Sequence, residues 1–352
     1  MFARMNRKRQ EITEKTPKTP RKVVVYTDNL MTSKSVRFST TAETAQHLAR
    51  SLADTLNTAL IISTSFRFDP ELNMLEILDP YNPRNNIFTN GITDYEVSVK
   101  LFLLPAATDT HNRPSPLYVR QALACIQKQL GSVKIDEFFT SFIDISSPIT
   151  ADTMEEVSDS DSDPSSGGGG GGSSGKKKKH GAGSLPDDMA RYVKIWRVLG
   201  KFRASGEIGK IGVSDFTLPQ LQQLMELSQV KPDMLQVKLG NDSLAMGETL
   251  DSDLMDFARA QGVSLRTHTD SLEILTDRTF QNLANDYKIN ERFPTTEVPP
   301  HGYKIDIMRP RWVANYSVSL KNRGLVANRG FIVMASSDCV LDPNGISYPT
   351  FL

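Results

Sequence analysis

Apolar residues recur along this chain in two rhythms, short unbroken runs and stripes of helical period, and their order predicts strands alternating with helices. The clearest unit is residues 206–239, GEIGKIGVSDFTLPQLQQLMELSQVKPDMLQVKL. Ile208, Ile211 and Val213 make a run suited to a parallel strand buried on both faces. Thr217 then opens a helix, with Gln220 three residues on as in a capping box. Leu218, Leu221, Leu224, Met225 and Leu227 line one side of that helix, Lys231-Pro232 stops it, and residues 234–237 form a second buried strand. The unit is βαβ.

The same alternation runs on either side. Val23 to Val25 predict a first strand, and residues 41–57 a helix with Ala45, Leu48, Ala49, Leu52 and Leu56 inward. Residues 60–66 (LIISTSF) read as strand two, and 69–93 as irregular surface structure rich in Pro and Asn. Residues 96–105 form a third strand, 116–130 a helix with Val119, Leu123, Ile126 and Leu130 inward, and 135–145 a fourth strand. A helix follows at 188–204 on Met189, Tyr192, Val193, Trp196 and Leu199. Beyond the central unit come a helix at 250–261, a strand at 263–267 and a helix at 272–283. Seven or eight βα units in this length favour a (β/α)8 TIM barrel. Residues 316–335 differ: alternating stretches punctuated by Arg323-Gly324 and Arg329-Gly330 read as an antiparallel hairpin-like segment appended to the barrel. Barrel-closing elements alone are the other reading.

Composition refines this picture at three places. Residues 1–21 are basic without an apolar signal core and read as a disordered tail. Residues 152–185 are a low-complexity insertion, with an acidic Ser-Asp block, six glycines and four lysines in succession, unable to bury enough apolar surface to order itself. Between them and the 341–352 tail lies a single domain, 22–340, interrupted by that insertion. The 352 residues have a net charge of zero, which gives no electrostatic case for nucleic acid or an anionic membrane. Two cysteines, Cys125 and Cys339, rule out a disulfide framework and fit a reducing cytoplasm; Cys125 reads as a buried thiol, and Cys339 as an exposed one or a half of an intermolecular disulfide. The sequence shows neither metal-ligand spacing nor a phosphate-binding glycine loop.

At the central unit the residues resemble the aldo-keto reductases. The segment GKIGVSDF (209–216), then Lys231-Pro232 and Gln236, follow that family's pattern. The resemblance implies an eight-stranded barrel with NADPH chemistry, in which Ser214, Asp215 and Gln236 match the residues holding the nicotinamide carboxamide, and His268 stands where an aromatic stacks on the ring. Asp215 departs from the family's asparagine: a carboxylate only accepts, so it cannot offer both faces of an amide. Catalysis in that family uses a tyrosine tuned by lysine and histidine, with an aspartate five residues before the tyrosine. Lys100 matches the lysine. Tyr26, Tyr81 and Tyr95 follow Arg21, Glu76 and Asn90 instead of an aspartate, and Ser141 (or Ser146) takes the histidine position. The proton donor and its tuning groups are missing, which leaves Lys100 as a relic.

A closer resemblance is to the modifier (regulatory) subunits of glutamate–cysteine ligase, non-catalytic relatives of the reductases. It rests on VSVKLF (97–102), the stretch from 130 to Ser141-Phe142, IGVSDF with QVKP, QVKL (236–239), LRTHTD (265–270) and RWVANYSVSLKNRG (311–324). It implies a cytoplasmic, non-catalytic heterodimer partner of the ligase catalytic subunit, raising glutamate affinity and relieving glutathione feedback, with no cofactor required and NADPH binding as an option. Trp312, Tyr316 and Arg323 are the candidate interface anchors, because Trp, Tyr and Arg dominate interface hot spots. Core packing is the competing reading of Trp312 and Tyr316, as is a structural role for Lys100 and His268. Two alternatives stand beside the regulatory reading: an NADPH-dependent reductase with a rearranged acid, and an NADPH-binding sensor without turnover.

Overall fold

The computed structural model describes residues 21–32, 44–80, 94–104, 114–131, 133–142, 187–238, 252–271, 273–293, 307–321 and 323–338. Residues 1–20, the 152–185 insertion, Tyr81, Ser146 and the residues from Cys339 to the C-terminus lie outside them. The expected α/β alternation is present. Strand β1 (Lys22–Tyr26) is followed by α1 (Thr44–Ile61), a hairpin of β2 (Phe66–Asp69) and β3 (Met74–Leu78), then β4 (Tyr95–Leu103), α2 (Pro116–Leu130) and β5 (Ile135–Phe142). The central unit is preceded by α3 (Asp187–Ala204) and consists of β6 (Ile208–Ser214), α4 (Leu218–Ser228) and β7 (Met234–Lys238). Helix α5 (Ser252–Ala260), β8 (Ser264–His268), α6 (Asp277–Asp286), β9 (Ile307–Leu320) and β10 (Leu325–Asp338) complete the chain.

Strands β4 to β8 are five parallel neighbours in sequence order, the βα succession that the periodicity predicts. Their sheet continues through β9, β10, β1 and β3 to β2, ten strands in all. The C-terminal hairpin is therefore integral to the sheet. It lies between β1 and β4, antiparallel to both, with Tyr26 opposite Ile332 and Lys100 opposite Asn315. Two 14-residue strands of alternating apolar residues can bury a face only inside a sheet, so an appended position would have left them exposed. Among the described residues the ends of the sheet, β2 and β8, do not pair with each other.

The sheet is nevertheless strongly curled. In a flat sheet β4 and β8 would stand about 19 Å apart, four spacings of about 4.8 Å. Lys100 on β4 reaches Asp270, two residues past β8, at 2.7 Å. Arg266 on β8 reaches Glu137 on β5 at 3.3 Å. These contacts make the face carrying Lys100, Glu137 and Arg266 concave. Helices α2 to α5 cover the other face, with Trp196, Leu199, Leu221 and Ala258 buried against Val99, Phe138 and Val213. On the concave side α1 and α6 cover the region of β3, β1, β10 and β9, through Leu48, Leu52 and Phe280 in one cluster with Ile77, Val25, Val313 and Val333. A closed barrel fills its interior with branched apolar side chains. Here the inner positions of β4, β5, β7 and β8 include Glu96, Ser98, Glu137, Gln236 and Arg266, and they line an open cleft.

Three expectations change for local reasons. Residues 60–65 are not a strand, and only Phe66 of the expected span enters one, at the start of β2: Leu60 and Ile61 end α1 on its solvent side, 43% and 84% exposed, while Leu52, Leu56 and Ala59 continue the buried stripe. The stretch 69–93 contains β3, whose central Glu76 is buried because the Tyr26 hydroxyl donates to it and Lys128 pairs with it. The last helix begins at Asp277 instead of 272, capped by Thr276, whose hydroxyl accepts from the Thr279 amide at 3.1 Å.

Candidate functional site

The parallel strands β6, β7 and β8 end in a row of polar residues, where a strand register of Ser214 beside Gln236 and Lys238 beside His268 brings the four sequence-predicted pocket residues together. Ser214 donates its hydroxyl to Gln236 Oε1 at 2.9 Å. The next residue, Asp215, leaves β6 in the left-handed region at φ 60°, which aspartate tolerates better than most side chains. That turn lets the Asp215 amide donate to the Gln236 carbonyl at 2.9 Å, while its Oδ1 accepts from the Lys238 amide at 3.1 Å and meets His268 Nε2 at 2.9 Å.

His268 is the middle of a longer chain of contacts. Its Nδ1 lies 3.2 Å from the Asp270 amide and 3.3 Å from Asp270 Oδ2. That carboxylate also binds Lys100 Nζ at 2.7 Å through Oδ2 and the Thr44 hydroxyl at 2.9 Å through Oδ1. Asp215, His268, Asp270, Lys100 and Thr44 thus join β6, β8, β4 and the first residue of α1. Lys100 and the His268 side chain are only 7% and 8% exposed. The network supplies each with a partner, as buried polar groups require.

Burial alone would depress the Lys100 ammonium, and it prevails over the opposing pull of Asp270 and Asp215. At His268 burial works against the charged ring, but the hydrogen bonds to Asp215 and Asp270 outweigh it and raise the imidazole above its ordinary value. Burial works against the Asp270 carboxylate too, yet His268, Lys100 and Thr44 hold it well below the usual carboxylate range. Neutral His268 can donate from Nε2 to Asp215 and accept the Asp270 amide at Nδ1; the protonated ring donates from both nitrogens. Because its folded value is raised, charging of His268 contributes stability in full below the unfolded value of about 6.5, and this is lost as pH rises through the folded value. An NMR titration of the His268 ring is expected to show a midpoint above about 6.5 that falls on Asp215→Asn. A wild-type midpoint at or below that value would contradict the two-carboxylate geometry.

The sequence profile of the aldo/keto reductase family matches residues 90–268, just over half of the chain. The chain belongs to the aldo/keto reductase family. Lys100, Ser141, Ser214, Asp215, Gln236 and His268 all fall inside the matched stretch. The chain is also similar to the human glutamate–cysteine ligase regulatory subunit, 32% identical over 140 residues, which is 40% of this chain and 45% of that protein. The match therefore spans less than half the length of the human relative. A Schizosaccharomyces pombe protein, provisionally given the same name, is 24% identical over 277 residues, 78% of this chain and 83% of its own. Among solved structures, a Bombyx mori aldo-keto reductase in complex with NADP has 17% identity over 46% of this chain and 39% of its own, at a TM-score of 0.28. So partial a superposition bears no further weight.

Ser141 stands on β5 opposite Phe102 and Ser214, buried. Tyr26 and Tyr95 are remote from Lys100 by register. Tyr26 aligns through Ile332 and Ala314 with Leu101, on the opposite face from Lys100, and its hydroxyl donates to Glu76. Tyr95 is five residues before Lys100 on the same strand, about 17 Å away and on the other face. Trp312 and Tyr316 are buried in β9 at 0% and 1% exposure, so as interface anchors they are corrected to core; Arg323 is exposed in the turn after β9. Sequence reasoning did not single out Asp270 or Thr44. The HTD triplet was visible, but the partner of Asp270, Lys100, is 170 residues away.

Proposed function

We propose that the chain is a non-catalytic regulatory partner of a glutamate–cysteine ligase catalytic subunit, acting in the cytoplasm to improve glutamate use and relieve inhibition by glutathione. The observation that carries this reading is the fate of Lys100. Its ammonium is engaged by Asp270 at 2.7 Å, with Ser141 on the neighbouring strand instead of an imidazole. Of the candidate tyrosines, Tyr26 and Tyr95 stand on the other face of the sheet, so Lys100 has neither beside it to tune as a proton donor for carbonyl reduction. Similarity to proteins named as ligase regulatory subunits supports the identity of the partner. Binding one ligase conformation better than another by about 1–3 kcal/mol would change its affinities roughly 5- to 150-fold. Arg323, exposed at the hairpin turn, is the remaining candidate anchor on that surface.

Residues Ser214, Asp215, Gln236 and His268 fit a nicotinamide carboxamide in one orientation. Among the described residues Gln236 Nε2 and Asp215 Oδ2 have no protein partner, so the first would donate to the amide oxygen and the second accept from the amide N–H. NADPH bound there would supply a hydride-bearing ring. His268, held at both ring nitrogens, would position that ring, and Asp270 would hold the Lys100 ammonium in place. This supports a nucleotide-sensing role as the second reading, with no cofactor required for the first.

The test is γ-glutamylcysteine formation by the same organism's catalytic subunit, with and without the chain, over a range of glutamate and glutathione. A lower KM for glutamate and a weaker glutathione effect are expected. Unchanged kinetics with no co-elution would defeat the proposal. NADPH titration separates the sensing reading: binding lost on Gln236→Ala supports it, and no binding at about millimolar ligand, near −4 kcal/mol, ends it.

A further inference from the structure

A second site lies on the concave face, beside the N-terminal halves of β4 and β5 and next to the Lys100 network, with which it shares Gln236. It is a cleft of about 330 Å³ whose lining includes Glu96, Ser98, Glu137, Gln236, Arg266 and Ser319. The strand register places these on one face, with Glu96 beside Ser319, Ser98 beside Glu137 and Gln236 beside Arg266. Its size is at the lower end of ligand pockets, about 300–1,000 Å³.

The fold leaves the polar groups of this cleft largely uncommitted. Among the described residues the Glu96 carboxylate and the hydroxyls of Ser98 and Ser319 have no side-chain partner. Gln236 spends its oxygen on Ser214 at 2.9 Å, leaving both amide hydrogens available. Arg266 makes one contact, Nη2 to Glu137 at 3.3 Å, so Nε and Nη1 stay available. Glu137 has a second cation, Lys210, at 3.9 Å, whereas Glu96 on the far side of the cleft has none among the described residues. A purely apolar ligand would desolvate these groups without pairing them. A simple anion would meet Glu96 and a simple cation would meet Arg266. A molecule carrying both charges pairs with each.

We propose that this cleft binds a small zwitterion, a free amino acid or dipeptide, with its ammonium at Glu96 and its carboxylate at Arg266 and the Gln236 amide. Ser98 and Ser319 hydrogen-bond the peptide or side-chain polar groups between. Occupancy would tie β4 to β8 across the curl of the sheet. The inference stands apart from the ligase reading, since it uses residues that neither the nucleotide site nor the proposed partner surface requires except Gln236.

Calorimetric titration of the full chain with glycyl-glutamine, its N-acetyl derivative and its C-terminal amide tests it. The parent peptide is expected to bind, and each blocked derivative at least about tenfold more weakly, a loss of about 1.4 kcal/mol. Glu96→Gln should weaken the parent about as much as N-acetylation and leave the N-acetyl derivative unaffected; Arg266→Met should do the same against the amide. Both residues are exposed at the cleft, and circular dichroism melting checks that the variants fold. Absence of heat at about 10 mM peptide, a free energy weaker than about −3 kcal/mol, or losses that do not pair each charge with its residue, would overturn the assignment.

Discussion

Asp270→Asn is expected to destabilise the protein by about 3–5 kcal/mol, the usual loss when one member of a buried ion pair is removed and its partner is left charged in the interior. Lys100 is 7% exposed, and Asp270 is the carboxylate at hydrogen-bonding distance from it. The same substitution also removes the acceptor charge facing Thr44 and His268. Because those contacts join α1, β4 and β8, the loss falls on the curl that brings the edge of the sheet back over its middle. Urea unfolding measures it as a lowered midpoint. Lys100→Met is expected to be milder, since Asp270 keeps His268 and Thr44, and a flexible apolar side chain can settle against Phe102, over whose ring the ammonium lies at 5.1 Å. Lys100→Met with Asp270→Leu should recover most of the single-variant loss, as apolar replacements of buried pairs often do. A loss below about 1 kcal/mol for Asp270→Asn would place the pair among weak surface bridges and remove its structural role. The same Lys100→Met protein reports on chemistry: any aldehyde reduction by the wild type that vanishes in it would favour the reductase alternative.

Trp312→Ala should cost about 3–5 kcal/mol of stability, the range for emptying a large aromatic site in a packed core. Trp312 has no exposed surface and stands on β9 between Leu103 and Met334, in the cluster that α2 and α3 cover. Its indole N–H has no acceptor among the described residues, so Trp312→Phe should lose less than its reduced volume suggests, because the substitution removes a buried unpaired donor worth about 1–3 kcal/mol. Arg323→Ala, at the exposed turn, should change stability by no more than about 0.5 kcal/mol. If Trp312→Ala melted like the wild type yet no longer bound the ligase, the core assignment would fail and the anchor reading would return.

The comparison of these residues shows what kinds of information the sequence carries. Ser214, Asp215 and Gln236 were legible because the whole βαβ unit is local: periodicity gives two strands and a helix, and parallel pairing then puts the ends of β6 and β7 side by side. The hairpin was legible as a hairpin for the same reason, from alternation and a turn at Gly324, whose φ is 59°. Its place between β1 and β4 was not, because an alternating pattern states that one face is buried and says nothing about which strand is the neighbour. Leu60 and Ile61 misled because three apolar residues in a row suit a buried strand as well as a helix end. Glu76 concealed β3, since a carboxylate in the middle of a short strand reads as exposed until Tyr26 and Lys128 are seen to meet it.

By itself, then, the sequence determined the order of the elements, the βα succession of the reductase family and the local row of polar residues at the ends of β6 to β8, because each depends on spacings of two to four residues. Only the tertiary structure decided that the concave face is polar and partly open, that Trp312 and Tyr316 are core, and that Lys100 is held by Asp270. Those outcomes depend on sheet order and curl, which bring together side chains as far apart as Lys100 and Asp270, 170 residues, and Thr44 and Asp270, 226 residues. No local rhythm of polar and apolar residues encodes such a distance.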